Sequence, residues 1–423
     1  MKVKLKKYID QYGDGIHGTP EYNEDGEYFF INGNNLENGK IVINKDTLRI
    51  TRDEYEKIKR PLNSNTILLS INGSLGKIAV YDNERVALGK SACYLNVNKN
   101  ENKYFVKYVL STKEFQKYMI HVAHGSTIKN LAPSQVVDYE FEEPEDKDKI
   151  ALILKLIDDK IENNRRIITA IEQMTKTIYD YWFLQYEFLN EKEKPYKTSG
   201  GKMVWNDELK KEIPEGWKYK KIVEIENNIV TGKTPSTKDE GNFNGNIPFI
   251  TIDDIRQGLY VANTIRTLSE KGASSQSKKY IPKDTICVTC IATVGLVGIT
   301  TKDSQTNQQI NSIVCENKNN LYYLVNAIND YFEYSNGAKS GNIFDNMNKE
   351  DFSSIKIIYP TEDVLEKFKE KVDPIYSKIR SCILENEELV KLRDYLLPLL
   401  MNEQVGFCLL YTSDAADDLT RVD

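Results

Sequence analysis

Histidine is nearly absent, with three residues in a chain of 423. An acid–base centre built on imidazole therefore has few places to form. No apolar run approaches the roughly 18–20 residues that span a bilayer. The start, MKVKLKKYIDQYGDG, is basic but has no apolar core of a secretion signal. The six cysteines share no spacing except Cys287 and Cys290, and Cys93, Cys315, Cys382 and Cys408 stand alone. That usage suits reduced thiols and a cytoplasmic protein. Charge is not one-sided either. The net charge is −6, residues 1–145 carry 20 basic and 20 acidic side chains, and residues 200–361 carry 19 of each. A nucleic-acid face would have to arise by segregating charges within a neutral domain. At 40% hydrophobic and 28% charged, the composition suits two or three globular domains.

Several short motifs resemble catalytic sites but lack the required context. GDGIHG (13–18) has glycine-fingerprint spacing, yet a Lys-rich segment precedes it and Thr19-Pro20 follows, instead of a buried strand and a helix. GKS (89–91) and GKT (232–234) end like phosphate loops, but Glu84 and Asn227 replace the glycine that opens the cradle. His121 and His124 have H-x-x-H spacing without a zincin Glu or cysteine partners. The run DEYEKIKR (53–60) reads as a solvated helix. No Gly-x-Ser-x-Gly elbow and no Asn-Pro-Pro-aromatic signature occurs. No cofactor, metal or catalytic residue is expected.

Cys287 and Cys290 lie in DTICVTCIATVGLVGI (284–299), whose β-branched residues predict a strand. Alternation then points the two thiols to opposite faces, which argues against a zinc knuckle or a redox pair. NTILLSINGSLGKIAV (65–80) matches this stretch at 285 − 66 = 219 positions, so Cys287 falls on Leu68 and Cys290 on Ile71. The thiols stand in for apolar strand residues. More matches follow in the same order. GTPEY (18–22) parallels KTPST (233–237), and GSTIKNLAPSQVVDYEFEEP (125–144) parallels GNIFDNMNKEDFSSIKIIYP (341–360). The chain is a duplicated domain.

A long helical pattern follows each repeat. Ile150, Leu154, Ile157, Ile161, Asn164, Ile168, Ile171, Thr175, Ile178 and Trp182 alternate at spacings of four and three. Leu365, Phe368, Val372, Ile375, Ile379, Cys382, Asn386 and Leu389 do the same. Sustained 4-3 spacing marks a coiled-coil seam. Two such seams predict that the helices pair with one another. Pro374 should kink the second helix or mark its start.

This arrangement resembles the specificity subunit of type I restriction–modification enzymes over residues 1–405. The most specific segments are IYDYWFLQYEFLNEKEKPYKTSGGKMVWNDELKKEIPEGW (178–217), like the family's central junction, and LRDYLLPLLMNEQV (392–405), like its terminal segment. QTNQQINS (305–312) is similar to the family's Asn-Gln motif, whereas VALGKSAC (86–93) aligns without Asn-Gln. The resemblance implies an α+β chain with two similar α/β target recognition domains. Each is followed by a long helix, and the two helices pair as an antiparallel coiled coil. The expected layout is recognition domain 1–145, helix and junction 146–195, recognition domain 196–361, helix 362–405, and a non-native tail at 406–423. The tail, GFCLLYTSDAADDLTRVD, loses the Lys- and Asn-rich character of the rest and is expected to be loosely attached.

The resemblance also implies a function. Each domain reads half of a bipartite double-stranded DNA target, and the helices set the gap. Two methylation subunits and restriction/translocase subunits bind the chain, which catalyses nothing itself and touches no membrane. Loop groups able to read base edges or hold phosphates are Thr19, Asn34, Asn72, Ser74, Lys90, Ser126 and Lys129 in the first repeat. In the second they are Lys233, Thr234, Thr293, Asn307, Gln308, Gln309, Ser340 and Asn342. Asn, Gly and Ser also serve simply as loop formers. A coiled-coil scaffold without DNA recognition is the alternative, and a divergent nuclease or methyltransferase is a second.

Overall fold

A computed structural model describes residues 2–125, 129–337 and 346–406. Within them the chain packs into two compact units. One combines residues up to 160 with residues from 389 onward, and the other comprises residues 161–388. The tail from 407 onward lies outside the described residues.

The first unit is built on a four-stranded antiparallel sheet in the order Ile9–Asp14, Ala92–Val97, Thr66–Ser70, Ile78–Val80. Thr66–Ser70 is buried along its whole length, which is why it reads as a continuous apolar run rather than an alternation. Beside it Tyr28–Ile31 runs parallel to Val86–Leu88. At the N-terminus, Lys2–Lys4 pairs with Glu140–Glu142 and sets Lys2 opposite Glu142 and Lys4 opposite Glu140. The basic start of the chain is thus matched by carboxylates.

The second unit repeats this plan. Its sheet runs Ile229–Thr231, Ile310–Ile313, Ile286–Thr289, Val297–Thr300, Tyr260–Val261. Phe243–Ile250 again runs parallel to a short strand, Gln305–Thr306. Gly76 and Gly295, matched across the repeat, both take a left-handed backbone, φ 87° and 93°. Their N–H groups donate to Ser70 O at 3.0 Å and Thr289 O at 2.8 Å. Glycine is required there because the turn needs positive φ.

The two cysteines behave as the alternation predicts. Cys287 packs with Ile250, Ile255, Val261 and Ile310. Cys290 joins the large core with Ile286 and Val288. In the first unit Leu68 packs with Ile31 and Leu88, while Ile71 joins the other cluster with Ile67 and Leu69. Burial pushes the Cys290 thiol up to about 11 and the Cys287 thiol up to about 12. Both remain protonated packing groups. Among the described residues no cluster of His, Cys, Asp or Glu could hold a metal ion, and no helix is long and apolar enough to cross a membrane.

Two long helices complete the units: α1, Lys147–Tyr179, and α2, Glu362–Met401. In the first unit Ile150 and Leu154 of α1 share a core with Leu397 and Leu400 of α2. In the second, Ile168 and Ile171 of α1 pack on the core that holds Val372, Tyr376 and Ile379 of α2. Pro374 does not mark the start of the second helix: α2 runs from Glu362 through it to Met401. Pro374 is exposed. A second feature escaped the sequence: α1 ends in a π-helical turn, Asp180–Leu184. This turn buries Trp182 and Phe183, with Trp182 against Phe368 at 5.8 Å and Phe183 against Trp217 at 5.8 Å between ring centres.

Each globular body meets the helices at a polar contact, and the repeat exchanges its chemistry. In the first unit Tyr108 Oη donates to Asp158 Oδ2 at 2.7 Å. In the second unit Asn326 Nδ2 donates to Tyr376 Oη at 2.7 Å. These pairs correspond, since 326 − 108 and 376 − 158 both equal 218. Tyrosine has moved from the body to the helix.

Candidate nucleic-acid interface

At one end of each sheet a set of loops is tied together by the same backbone bonds. In the first unit Ile71 N–H donates to Ser91 O at 3.0 Å, Leu131 N–H to Ile71 O at 2.9 Å and Gly89 N–H to Ile31 O at 2.8 Å. In the second, Cys290 N–H donates to Gln309 O at 2.8 Å, Met347 N–H to Cys290 O at 2.7 Å and Asn307 N–H to Ile250 O at 3.1 Å. These bonds gather the loops around residues 32–35, 72–74, 89–91 and 129–130, and those around 251–256, 291–294, 307–309 and 346–347. Asn72 bridges Asn130, and Ile291 bridges Asn346.

Gly15 and Gly232 show why GDGIHG and GKT contain glycine. A Cβ on Gly15 would sit 2.2 Å from Leu88 O, and one on Gly232 would sit 2.2 Å from Asn307 O. Both glycines admit a crossing backbone and do not cradle a phosphate.

Side chains then divide into those that hold the loops and those that face outward. Ser91 Oγ accepts from Gly33 N–H at 2.9 Å and donates to Asn32 Oδ1 at 3.0 Å. Asn307 is 8% exposed. Its Oδ1 accepts from Gln309 N–H at 3.0 Å and its Nδ2 donates to Gln309 Oε1 at 2.9 Å. Of the Asn-Gln motif, therefore, Asn307 shapes the loop and Gln308 is displayed. Exposed Gln308 accepts through Oε1 from Thr234 Oγ1 at 2.6 Å. That bond fixes its amide while leaving the NH₂ free to donate.

The other sequence candidates fall as follows. Asn34, Ser74, Lys90 and Lys233 are exposed on the gathered loops, and Asn72, Thr293 and Gln309 are half-buried there. Thr19 is exposed beyond the strand Ile9–Asp14, and among the described residues no hydrogen bond ties it to the other loops. Lys129 is exposed, but its Nζ donates to Ile120 O at 3.3 Å. There it serves the C-terminal turn of helix Lys113–Val122. Ser126, Ser340 and Asn342 lie outside the described residues. The sequence reading missed Arg256. This exposed side chain reaches Asp253 Oδ1 at 2.8 Å and Thr293 Oγ at 3.2 Å, which joins two of the gathered loops. Its setting, TIDDIRQG, looks like an ordinary solvated turn.

Comparison with known proteins was made across the whole chain. The family described as "Type I restriction modification DNA specificity domain" matches residues 15–173 and again residues 214–381. The chain is similar to the HindI type I restriction enzyme specificity subunit of Haemophilus influenzae, 28% identical over 444 residues, covering 91% of this chain and 96% of that one. It is also similar to the MjaIX specificity subunit of Methanocaldococcus jannaschii, 26% identical over 416 residues, covering 94% and 88%. Among solved structures, the type I restriction–modification S subunit from M. genitalium shares the fold, with TM-score 0.54 at 18% identity over 95% of both chains. Because the family pattern occurs twice and takes in both repeats, the chain belongs to the type I restriction–modification DNA specificity family.

Proposed function

We propose that this chain gives a type I restriction–modification complex its target by reading two separate DNA half-sites, one with each unit. What supports this most is one loop scaffold used twice with different outward side chains. Ser74 corresponds to Thr293 and Asn34 to Asp253 at an offset of 219, and Lys90 corresponds to Gln308 at 218. Equal backbones with unequal tips suit two different base sequences, since base edges are read by side-chain donors and acceptors in the major groove.

The recognition domains are residues 1–145 and 196–361. The helical segments 146–195 and 362–405 form an antiparallel coiled coil that sets the gap between half-sites. At ~1.5 Å per residue a 40-residue helix is ~60 Å long, a little under two turns of DNA at ~34–36 Å each. The pairing reading draws on contacts inside each unit. Arg393 Nη1 donates to Asp158 Oδ1 at 2.9 Å, and Asn164 Nδ2 donates to Asn386 Oδ1 at 2.9 Å. Position 158 rises to 164 as its partner falls from 393 to 386. Two methylation subunits bind the chain and bring the methyl donor and its chemistry. Restriction/translocase subunits join for cleavage. The chain supplies no catalytic group, uses no cofactor and works in the cytoplasm. The scaffold reading gains nothing from the comparisons, which name specificity subunits.

The test is to co-express the chain with the methylation subunits of its operon and map methylated adenines across the host genome. A bipartite motif with a fixed gap is expected. A single contiguous motif, or no sequence preference, would refute the reading.

A further inference from the structure

The polar residues of the helix seam are placed asymmetrically. The seam patterns of α1 and α2 superpose at an offset of 218, so Ile150 matches Phe368, Leu154 matches Val372 and Ile161 matches Ile379. By the same offset Asn164 matches Cys382 and Ile168 matches Asn386. Each helix thus carries one Asn, but the two lie in adjacent layers of the repeat. In the chain Asn164, fully buried, donates through Nδ2 to Asn386 Oδ1 at 2.9 Å and to Glu385 Oε2 at 2.8 Å. The adjoining layer, by position, sets Ile168 with Cys382. One layer is polar on both sides and the next is apolar on both sides.

Because α1 and α2 are homologous, a second pairing is possible in principle: α1 with α1, and α2 with α2, from two copies of the chain. The same geometry then sets Asn164 against Ile168 of the other copy, and Asn386 against Cys382. Every such layer is mixed, and a buried amide faces an apolar group. The ion pair suffers likewise. Arg393 matches Thr175 and Asp158 matches Tyr376 at the offset of 218. Asp158 would face Thr175, and Arg393 would face Tyr376.

We infer that the seam is coded to join the two halves of one chain and to refuse the homologous pairing with a second copy. A single polar seam position is an established means of fixing coiled-coil partner and register. Here the asymmetry has arisen inside a duplication. While the first half is finished and α2 is still being made, only α1 helices of other copies are available to it. A seam that disfavours them keeps the first half free for its own partner.

The inference rests on the helix pairing proposed above, and its test separates the two. A protease site is placed in the exposed turn 190–194 of the full chain, which is purified intact and then cut. Cutting removes the tether, whose high effective concentration would otherwise mask any preference. Cut protein carrying a mass label is mixed with unlabelled cut protein at about 20 μM, and native mass spectrometry reads the pairings. The parent is expected to form pairs of a first half with a second half, with homologous pairs below a few per cent. The variant Asn164→Cys with Asn386→Ile makes the seam symmetric, and homologous pairs should rise at least tenfold. Adding Arg393→Thr should raise them further. An unchanged share across this series would overturn the inference. A parent that already forms homologous pairs freely would overturn it too. Halves that separate completely would refute the helix pairing and the inference with it.

Discussion

Arg393 and Asp158 meet at 2.9 Å between Nη1 and Oδ1, and this carboxylate also accepts from Tyr108 and forms an ion pair with Lys107. Its side chain is 18% exposed. Burial alone would raise the Asp158 pKa, but Lys107, Arg393 and Tyr108 outweigh it and hold the pKa low. Removing the carboxylate takes away the ion pair of Lys107 and one of the two carboxylates on Arg393, which keeps Asp394. Asp158→Ala should therefore cost about 3 kcal/mol, and Arg393→Met, which leaves Lys107 in place, about 1–2 kcal/mol. Urea unfolding of both variants checks the order. Equal costs would contradict the central role of the carboxylate.

Glu143 predicts a pH dependence. Its carboxylate accepts from Lys7 at 2.6 Å, from Lys147 at 3.2 Å and from Tyr8. Burial opposes ionisation, yet these three donors lower its pKa from 4.5 to about 2. A depressed acid stabilises the fold above its unfolded pKa. That stability is lost as pH falls from about 4.5 toward about 2. Glu143→Gln should lose on the order of 2 kcal/mol at pH 7 and converge with the parent near pH 2. A constant difference from pH 7 to pH 2 would rule this out.

Ala292 and Gly73 occupy matched loop tips, both left-handed, at φ 66° and 73°. Alanine is strained there and glycine is not. Ala292→Gly should raise the thermal midpoint slightly, by the equivalent of ~0.5–1 kcal/mol. Gly295→Ala should be costly, above ~2 kcal/mol, because positive φ combines with a Cβ 2.7 Å from the Phe332 side chain.

Burial should protect the paired-looking cysteines. Neither Cys287 nor Cys290 should react with iodoacetamide at pH 8 until the chain unfolds. Cys290→Val should cost under ~1.5 kcal/mol, and the parent should carry no stoichiometric zinc. Bound zinc or rapid alkylation of the folded chain would contradict a packing role.

Arg256 and Gln308 give the most direct functional prediction. Each side chain is exposed and is held by a neighbouring loop, Arg256 by Thr293 and Gln308 by Thr234. Arg256→Ala or Gln308→Ala should relax base preference at one position of one half-site by ~1–3 kcal/mol and leave the other half-site unchanged. Methylation mapping of the variants reads this directly. Equal loss at both half-sites would point to a general assembly defect.

The duplication was legible because strands repeat their pattern wherever both faces are buried. Thr66–Ser70 and Ile286–Thr289 could be superposed by eye for that reason. The two long helices were legible by their 4-3 spacing. What sequence could not show was direction. Asn307 and Gln308 are neighbours of similar polarity, yet one turns inward and the other outward, and only the backbone decides which. The bond from Lys129 to the Ile120 carbonyl was not legible, because the two lie across a loop. Arg256 was passed over because an Asp three residues earlier makes any Arg look like a local ion pair.

The inward turn of Asn307, like that of Ser91, bears on how such a protein changes over time. The bonds that shape each reading loop run through main chain and through side chains facing the interior. Among the outward positions, Arg256 and Gln308 also tie loops together, whereas Ser74 and Lys90 are exposed tips. If those tips read the target, a change there is expected to alter the sequence read at smaller cost to folding than a change in the buried layer beneath.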